Sequence, residues 1–189
     1  MARITNNPLL QGAKGMVGGT LVIRQVHNLG IILSNRPKKR KQLSERQKEQ
    51  VLRFQEAGQY ASLQMKDPEA KAAYAKGIDG KKSNARLVAL ADYLNPPVVH
   101  SIKAPAYTGA VGETITIKAT DDFKVTEVQV TIHSTSGGKL EQGQAERYRI
   151  KANTWKYKTT VPNPDPKGTT IQAVAYDRPG NKTRAEIVL

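Results

Sequence analysis

At 189 residues, with 38% hydrophobic and 24% charged residues, the chain has the composition of a folded protein with one large or two small cores. Its formal charge of +14 favours polyanions or anionic surfaces as partners. The absence of cysteine excludes disulfides, thiolate metal sites and cysteine nucleophiles.

The longest apolar run, Leu29 to Leu33, is too short to span a bilayer. The opening MARITNNPLLQGAKG lacks the apolar stretch and small-residue cleavage site of a secretory signal. A cytoplasmic protein, or a component of a particle assembled in the cytoplasm, is therefore expected. The charge is uneven: residues 1–95 carry 17 basic and 7 acidic side chains, residues 96–189 carry 13 and 9. It peaks in Arg36-Pro37-Lys38-Lys39-Arg40-Lys41.

Residues 1–19, rich in Gly and Asn, are expected to form an irregular arm with Ile4, Leu9 and Leu10 free to dock. Thr20–Val26 and Gly30–Ser34 are β-rich runs separated by turn residues, which predicts a β-hairpin. Two strands bury too little to be stable alone, so the hairpin needs a helix, another sheet or another subunit. Ser44 and Gln47 form a capping box for a helix from about Glu45 to Met65, with Val51, Phe54, Gly58, Ala61 and Met65 along one stripe. Asp67-Pro68 opens a second helix through Lys76. Ser83 is expected to cap a third, Asn84 to Leu94, with Leu87, Leu90, Ala91 and Leu94 on one side. Asn95-Pro96-Pro97 ends it and marks a boundary between a 1–95 module and a 98–189 domain.

From Val98 the periodicity becomes twofold. Ile115, Ile117 and Ala119 alternate with polar residues, as do Val128, Val130 and Ile132. The same holds for Trp155, Tyr157 and Thr159, for Ile171, Ala173 and Ala175, and for Ala185, Ile187 and Leu189. Turn clusters separate these runs, which predicts six or seven strands in a sandwich with Trp155 as its core aromatic.

Asp122-Phe123-Lys124-Val125 leading into a strand, Trp155-Lys156-Tyr157, and Ala175-Tyr176-Asp177-Arg178-Pro179-Gly180-Asn181 resemble bacterial immunoglobulin-like repeat domains. In that family the penultimate strand ends in an Ala-x-Asp-x-x-Gly-Asn turn. The resemblance covers about half the chain and implies adhesion, spacing or assembly, with no chemistry. The N-terminal half is similar in pattern to short bacterial proteins of unknown function: a Gly-rich arm, a hairpin ending in Arg-Pro, then Phe54-Gln55-Glu56-Ala57 and Ala72-Ala73-Tyr74-Ala75. No activity comes with that likeness. The fold class expected is thus an α+β module, a β-hairpin plus about three helices, followed by an all-β immunoglobulin-like sandwich.

Chemistry is sparse. His27, His100 and His133 lack a second ligand at helical spacing, so no zinc site is assigned. Gly-x-Ser-x-Gly is absent, and neither Gly12-Ala13-Lys14-Gly15 nor Gly18-Gly19-Thr20 ends as a phosphate loop does. Asp121-Asp122 with Asp177 and Asn181 would make an oxygen-rich calcium site at one end of the sandwich. The stronger reading is that these are turn residues bonding their own backbone. No enzyme activity, cofactor or metal is assigned.

Open strand edges on the hairpin and an apolar arm favour self-assembly into a homo-oligomer, with Leu9, Leu10, Leu21, Ile23, Ile31 and Leu33 as contact residues. The alternative is a nucleic-acid-associated protein gripping the phosphate backbone through the 36–53 region, where Arg36, Lys38, Lys39, Arg40, Lys41 and Arg46 would serve.

Overall fold

The computed structural model describes residues 2–4 (backbone), 10, 12–26, 30–37 and 42–189. It divides into two compact units, Met1–Lys48 and Glu49–Leu189. From Glu49 onward the helices share a unit with the sandwich. The physical reason is a set of bonds between the third helix and sandwich loops, described below.

The first unit is a four-stranded antiparallel sheet of β1 (Ala2–Ile4), β2 (Gly15–Val17), β3 (Leu21–Val26) and β4 (Gly30–Asn35), in the order β1-β4-β3-β2. The predicted hairpin is β3 and β4, with Leu21 opposite Asn35 and Val26 opposite Gly30. Its turn, His27–Leu29, lies outside the described residues. Two expectations are corrected here. The leader is not wholly an irregular arm, and the hairpin edges are not open: β1 pairs with β4 and β2 with β3. Gly18 and Gly19, at φ of 58° and 68°, build the reversal between β2 and β3, a conformation open to glycine at little cost. That use of the glycines, as turn and not as loose backbone, brings the leader back onto the hairpin.

Helix α1 (Glu45–Gln64) starts at the predicted capping box: Gln47 N–H donates to Ser44 Oγ at 3.4 Å, and Ser44 N–H to Gln47 Oε1 at 3.2 Å. Its buried residues are Ala57 and Ala61; Val51 and Phe54, assigned to the inner stripe from spacing, are exposed. Helix α2 (Pro68–Ala75) is capped by Asp67, which accepts from Glu69 N–H at 3.0 Å. Helix α3 (Ala85–Leu94) is capped by Asn84, not Ser83, through a bond from Leu87 N–H at 2.9 Å. Its buried face is Ala85, Val88, Ala89 and Asp92, rotated from the expected leucine side.

The rest is a β-sandwich. Strands β5 (Val98–Lys103), β6 (Thr114–Thr120), β9 (Glu146–Arg147) and β10 (Thr154–Lys158) form one sheet in the order β5-β6-β10-β9. Strands β7 (Glu127–His133), β8 (Lys139–Gln144), β11 (Thr170–Tyr176) and β12 (Lys182–Val188) form the other in the order β12-β11-β7-β8. The predicted alternation holds: Ile115, Ile117 and Ala119 from the first sheet meet Val128, Val130, Ile132, Ile171, Ala173 and Ala175 from the second in one core. Trp155 and Tyr157 join that core, while Ala185 and Ile187 pack half-buried against it. Among the described residues no helix is long and apolar enough to cross a membrane.

Candidate functional site

Small residues allow the helices to pack closely. Ala61 on α1, Tyr74 on α2, and Ala85, Val88 and Ala89 on α3 form a second core, closed by Phe123 from the loop after β6. The Tyr74 and Phe123 rings lie 4.7 Å apart, and Gly77 leaves room for both Phe123 and Val88. Asn95 Nδ2 donates to Asp122 Oδ2 at 3.0 Å, and Lys82 pairs with the same carboxylate at 3.5 Å. These contacts hold the end of α3 against the sandwich loops.

At that junction three carboxylates meet. One oxygen from each of Asp92 on α3, Asp121 after β6 and Asp177 after β11 lies within 4.8 Å of the other two. Asp92 is 0% exposed, Asp177 is buried and Asp121 half-buried. Asp177 Oδ1 accepts from the N–H groups of Gly180 and Asn181 at 2.9 and 2.6 Å, the turn bond expected of it. Asp121 Oδ2 likewise accepts from Phe123 and Lys124 at 3.1 and 2.8 Å. Asn181 Nδ2 faces Asp177 Oδ2 at 2.7 Å and the carbonyls of Asp92 and Tyr93 at 3.3 and 3.1 Å. The turn therefore caps the carbonyl end of α3, whose last turn has no intrahelical donors of its own.

Asp92 Oδ2 accepts from the Tyr74 hydroxyl at 2.6 Å. Tyr74 has spent its one hydrogen there, so it accepts from Tyr60 Oη at 2.7 Å. The remaining oxygens, Oδ1 of Asp92 and Oδ1 of Asp121, are both buried and have no donor. Burial pushes the Asp92 carboxyl up to about 7; the Tyr74 hydrogen bond opposes the rise, while the Asp121 charge and a side-chain hydrogen bond that a protonated Asp92 would share with Asp121 add to it. Burial likewise raises Asp177, offset by the Asn181 bonds. Tyr74 is held well above the ordinary tyrosine range, first by burial and then by donating to Asp92. Burial also raises Tyr60. Among the described residues, none of the three carboxylates makes an ion pair.

Glu141 shows what a satisfied buried carboxylate looks like in the same molecule. Its Oε2 accepts from Tyr157 Oη, Thr160 N–H, Thr160 Oγ1 and Val161 N–H at 2.7–3.2 Å. Asp92 and Asp121 stand apart from it.

Sequence reasoning named Asp121, Asp177 and Asn181 together, and the structure brings them together. Asp122 is not with them; it faces Asn95 and Lys82. Asp92, Tyr74 and Tyr60 were missed. The signal for Asp92 was an acid in the last position of the apolar series 85, 88, 89, 92.

Of the residues assigned to assembly, Leu21, Ile23, Ile31 and Leu33 share one sheet face by register; Ile23 and Ile31 are buried, Leu33 half-buried and Leu21 exposed. Leu10 is half-buried and Leu9 lies outside the described residues. Of the basic set, Arg36 and Arg46 are exposed, and Lys38, Lys39, Arg40 and Lys41 lie outside the described residues. His100 Nε2 meets Thr120 Oγ1 at 2.6 Å.

No protein-family model matches the sequence, and no curated protein matches it. Two solved structures are similar to parts of the chain. CopC from Methylosinus trichosporium OB3b is 10% identical with a TM-score of 0.37, over 49% of this chain and 89% of CopC. An engineered protein is 21% identical with a TM-score of 0.33, over 49% of this chain and 20% of that one. The chain thus spans about a fifth of the engineered protein. At these scores neither likeness bears on activity.

Proposed function

We propose that this protein is a non-catalytic structural or interaction subunit that self-associates through its N-terminal sheet, with the C-terminal sandwich as an immunoglobulin-like spacer or decoration. The strand order β5-β6-β10-β9 against β12-β11-β7-β8 supports the immunoglobulin-like reading: it keeps the first, second, sixth and fifth strands of the sandwich in one sheet, the immunoglobulin pairing once the extra strand β8 after β7 is allowed for.

The observation that carries self-association is the composition of β2. It closes one end of the sheet among the described residues, and Met16 and Val17 are each 53% exposed, with Leu21 beside them at 42%. Natural edge strands are guarded by charge or proline, and Gly15-Met16-Val17 has neither. The leader covers the edges of the hairpin, and β2 is the edge left exposed in their place. A second copy, offering the same uncharged strand, can pair with it edge to edge, against the repulsion of +14 on each copy. Three residues make a short contact, so association is weak and concentration-dependent.

Size-exclusion light scattering of the full chain across a hundredfold concentration range tests this. A mass that rises with concentration, and that Met16→Lys with Val17→Lys returns to the monomer value, is expected. A monomer at every concentration refutes it.

A second reading, contact with a phosphate backbone through residues 36–53, is favoured by the +10 excess of residues 1–95. Binding to duplex DNA at two salt concentrations tests it; no binding at low salt removes it.

A further inference from the structure

We infer that Asp92, Asp121 and Asp177 form a binding site for one divalent cation of the calcium class, which ties α3 to the sandwich. Three observations carry this. First, the carboxylates come from three separate segments and converge within 4.8 Å. Two oxygens bound to the same calcium at about 2.4 Å can stand no more than about 4.8 Å apart, and the three stay within that bound. Second, Asp92 is fully buried, and its Oδ1 and that of Asp121 lack any donor. A buried acceptor without a partner is costly, and one with a formal charge more so. Every other oxygen of the trio is bonded: Oδ2 of Asp92 by Tyr74, Oδ2 of Asp121 by two N–H groups, both oxygens of Asp177 by the 180–181 turn. Third, no Lys or Arg pairs with the trio among the described residues, although the chain carries 30 such side chains.

The oxygen-only donor set excludes soft metals as the preferred occupant. Calcium suits it better than magnesium. Magnesium dehydrates reluctantly and keeps several waters, whereas a carboxylate as deeply buried as Asp92 favours an ion that sheds them. The functional consequence is mechanical. The cation neutralises three charges at the point where α3, the loop after β6 and the turn after β11 meet, so its binding rigidifies the joint between helices and sandwich. This inference does not depend on self-association, which involves β2 alone.

The test uses the full chain, stripped with chelator and dialysed. Melting is followed with Ca2+, and Tb3+ luminescence is followed under tyrosine excitation, because Tyr74 lies against Asp92. Expected are a saturable rise in Tm of about 5–10 °C at a hundredfold excess over Kd, and sensitised Tb3+ emission that Ca2+ displaces. Both are lost in Asp92→Asn and in Asp121→Asn and kept in Asp122→Asn. Should Asp92→Asn not fold, Asp121→Asn and the wild-type Tb3+ competition decide. No Tm shift with no sensitised emission overturns the proposal, as does an equal shift in the Asp121→Asn protein. Mg2+ is expected to give less than half the Ca2+ shift; an equal shift overturns the calcium assignment.

Discussion

The Tyr74 hydroxyl lies 2.6 Å from Asp92 Oδ2, so an α2 side chain holds one oxygen of a fully buried α3 carboxylate and leaves the other without a donor. Three elements that sequence would assign to two domains are joined by this one acid. Asn181 completes the joint by donating to the last carbonyls of α3.

Tyr74→Phe removes the only donor to Asp92 Oδ2 while leaving the ring against Phe123. A buried acceptor left unsatisfied costs about 1–3 kcal/mol. Urea denaturation is expected to show that loss. Tyr60→Phe, which removes a donor from half-buried Tyr60, is expected to cost less.

Stability without cation is expected to depend on pH around neutrality. The folded-state Asp92 carboxyl sits at about 7, above the ordinary 3.8. The protonated group therefore contributes stability that is fully present below the ordinary aspartate range and is lost as pH rises through about 7. The groups facing Asp92 are the acids Asp121 and Asp177 and the Tyr74 hydroxyl, with Arg178 over the Tyr74 ring at 5.2 Å. In chelator, Tm is expected to fall between pH 6 and 8, and Asp92→Asn to flatten that fall. A wild-type Tm that stays level across this range contradicts the reading.

Local chemistry was legible from sequence where it is short-ranged. The capping box at Ser44, the Asp67-Pro68 helix start, the hairpin and the alternating strands around Trp155 follow from neighbours within a few residues. The β1–β4 and β2–β3 pairings were hidden because strands of three residues carry almost no periodicity, and β2 in addition begins with a glycine and is followed by two. Val51 and Phe54 sit on a helical stripe that the structure leaves exposed, since only the Ala57–Ala61 part of α1 meets its neighbours. Asp92 was hidden for a different reason. An acid on an apolar face makes sense only when its partners, Tyr74, Asp121 and Asp177, arrive from 18, 29 and 85 residues away.

Gly77→Ala tests the packing of the joint. An added Cβ meets Val88 Cγ1 at 2.8 Å and the Phe123 ring at 3.0 Å. Val88 is fully buried and has no room to turn aside, so a loss of about 1–3 kcal/mol is expected from overpacking. Chemical denaturation measures it.

Gly19→Ala bears on the N-terminal sheet. At φ of 68° an L side chain costs roughly 1–2 kcal/mol. Hydrogen exchange is expected to show faster amides in β2 and in the facing residues of β3, with the sandwich amides unchanged. Unaltered exchange in β2 contradicts the turn described here.

The most direct measurement is a crystal structure of the full chain grown with Tb3+ in place of Ca2+. The account predicts one anomalous peak bounded by oxygens of Asp92, Asp121 and Asp177. A well-ordered joint with no peak, in which Asp92 and Asp121 share a proton across a short hydrogen bond, contradicts it.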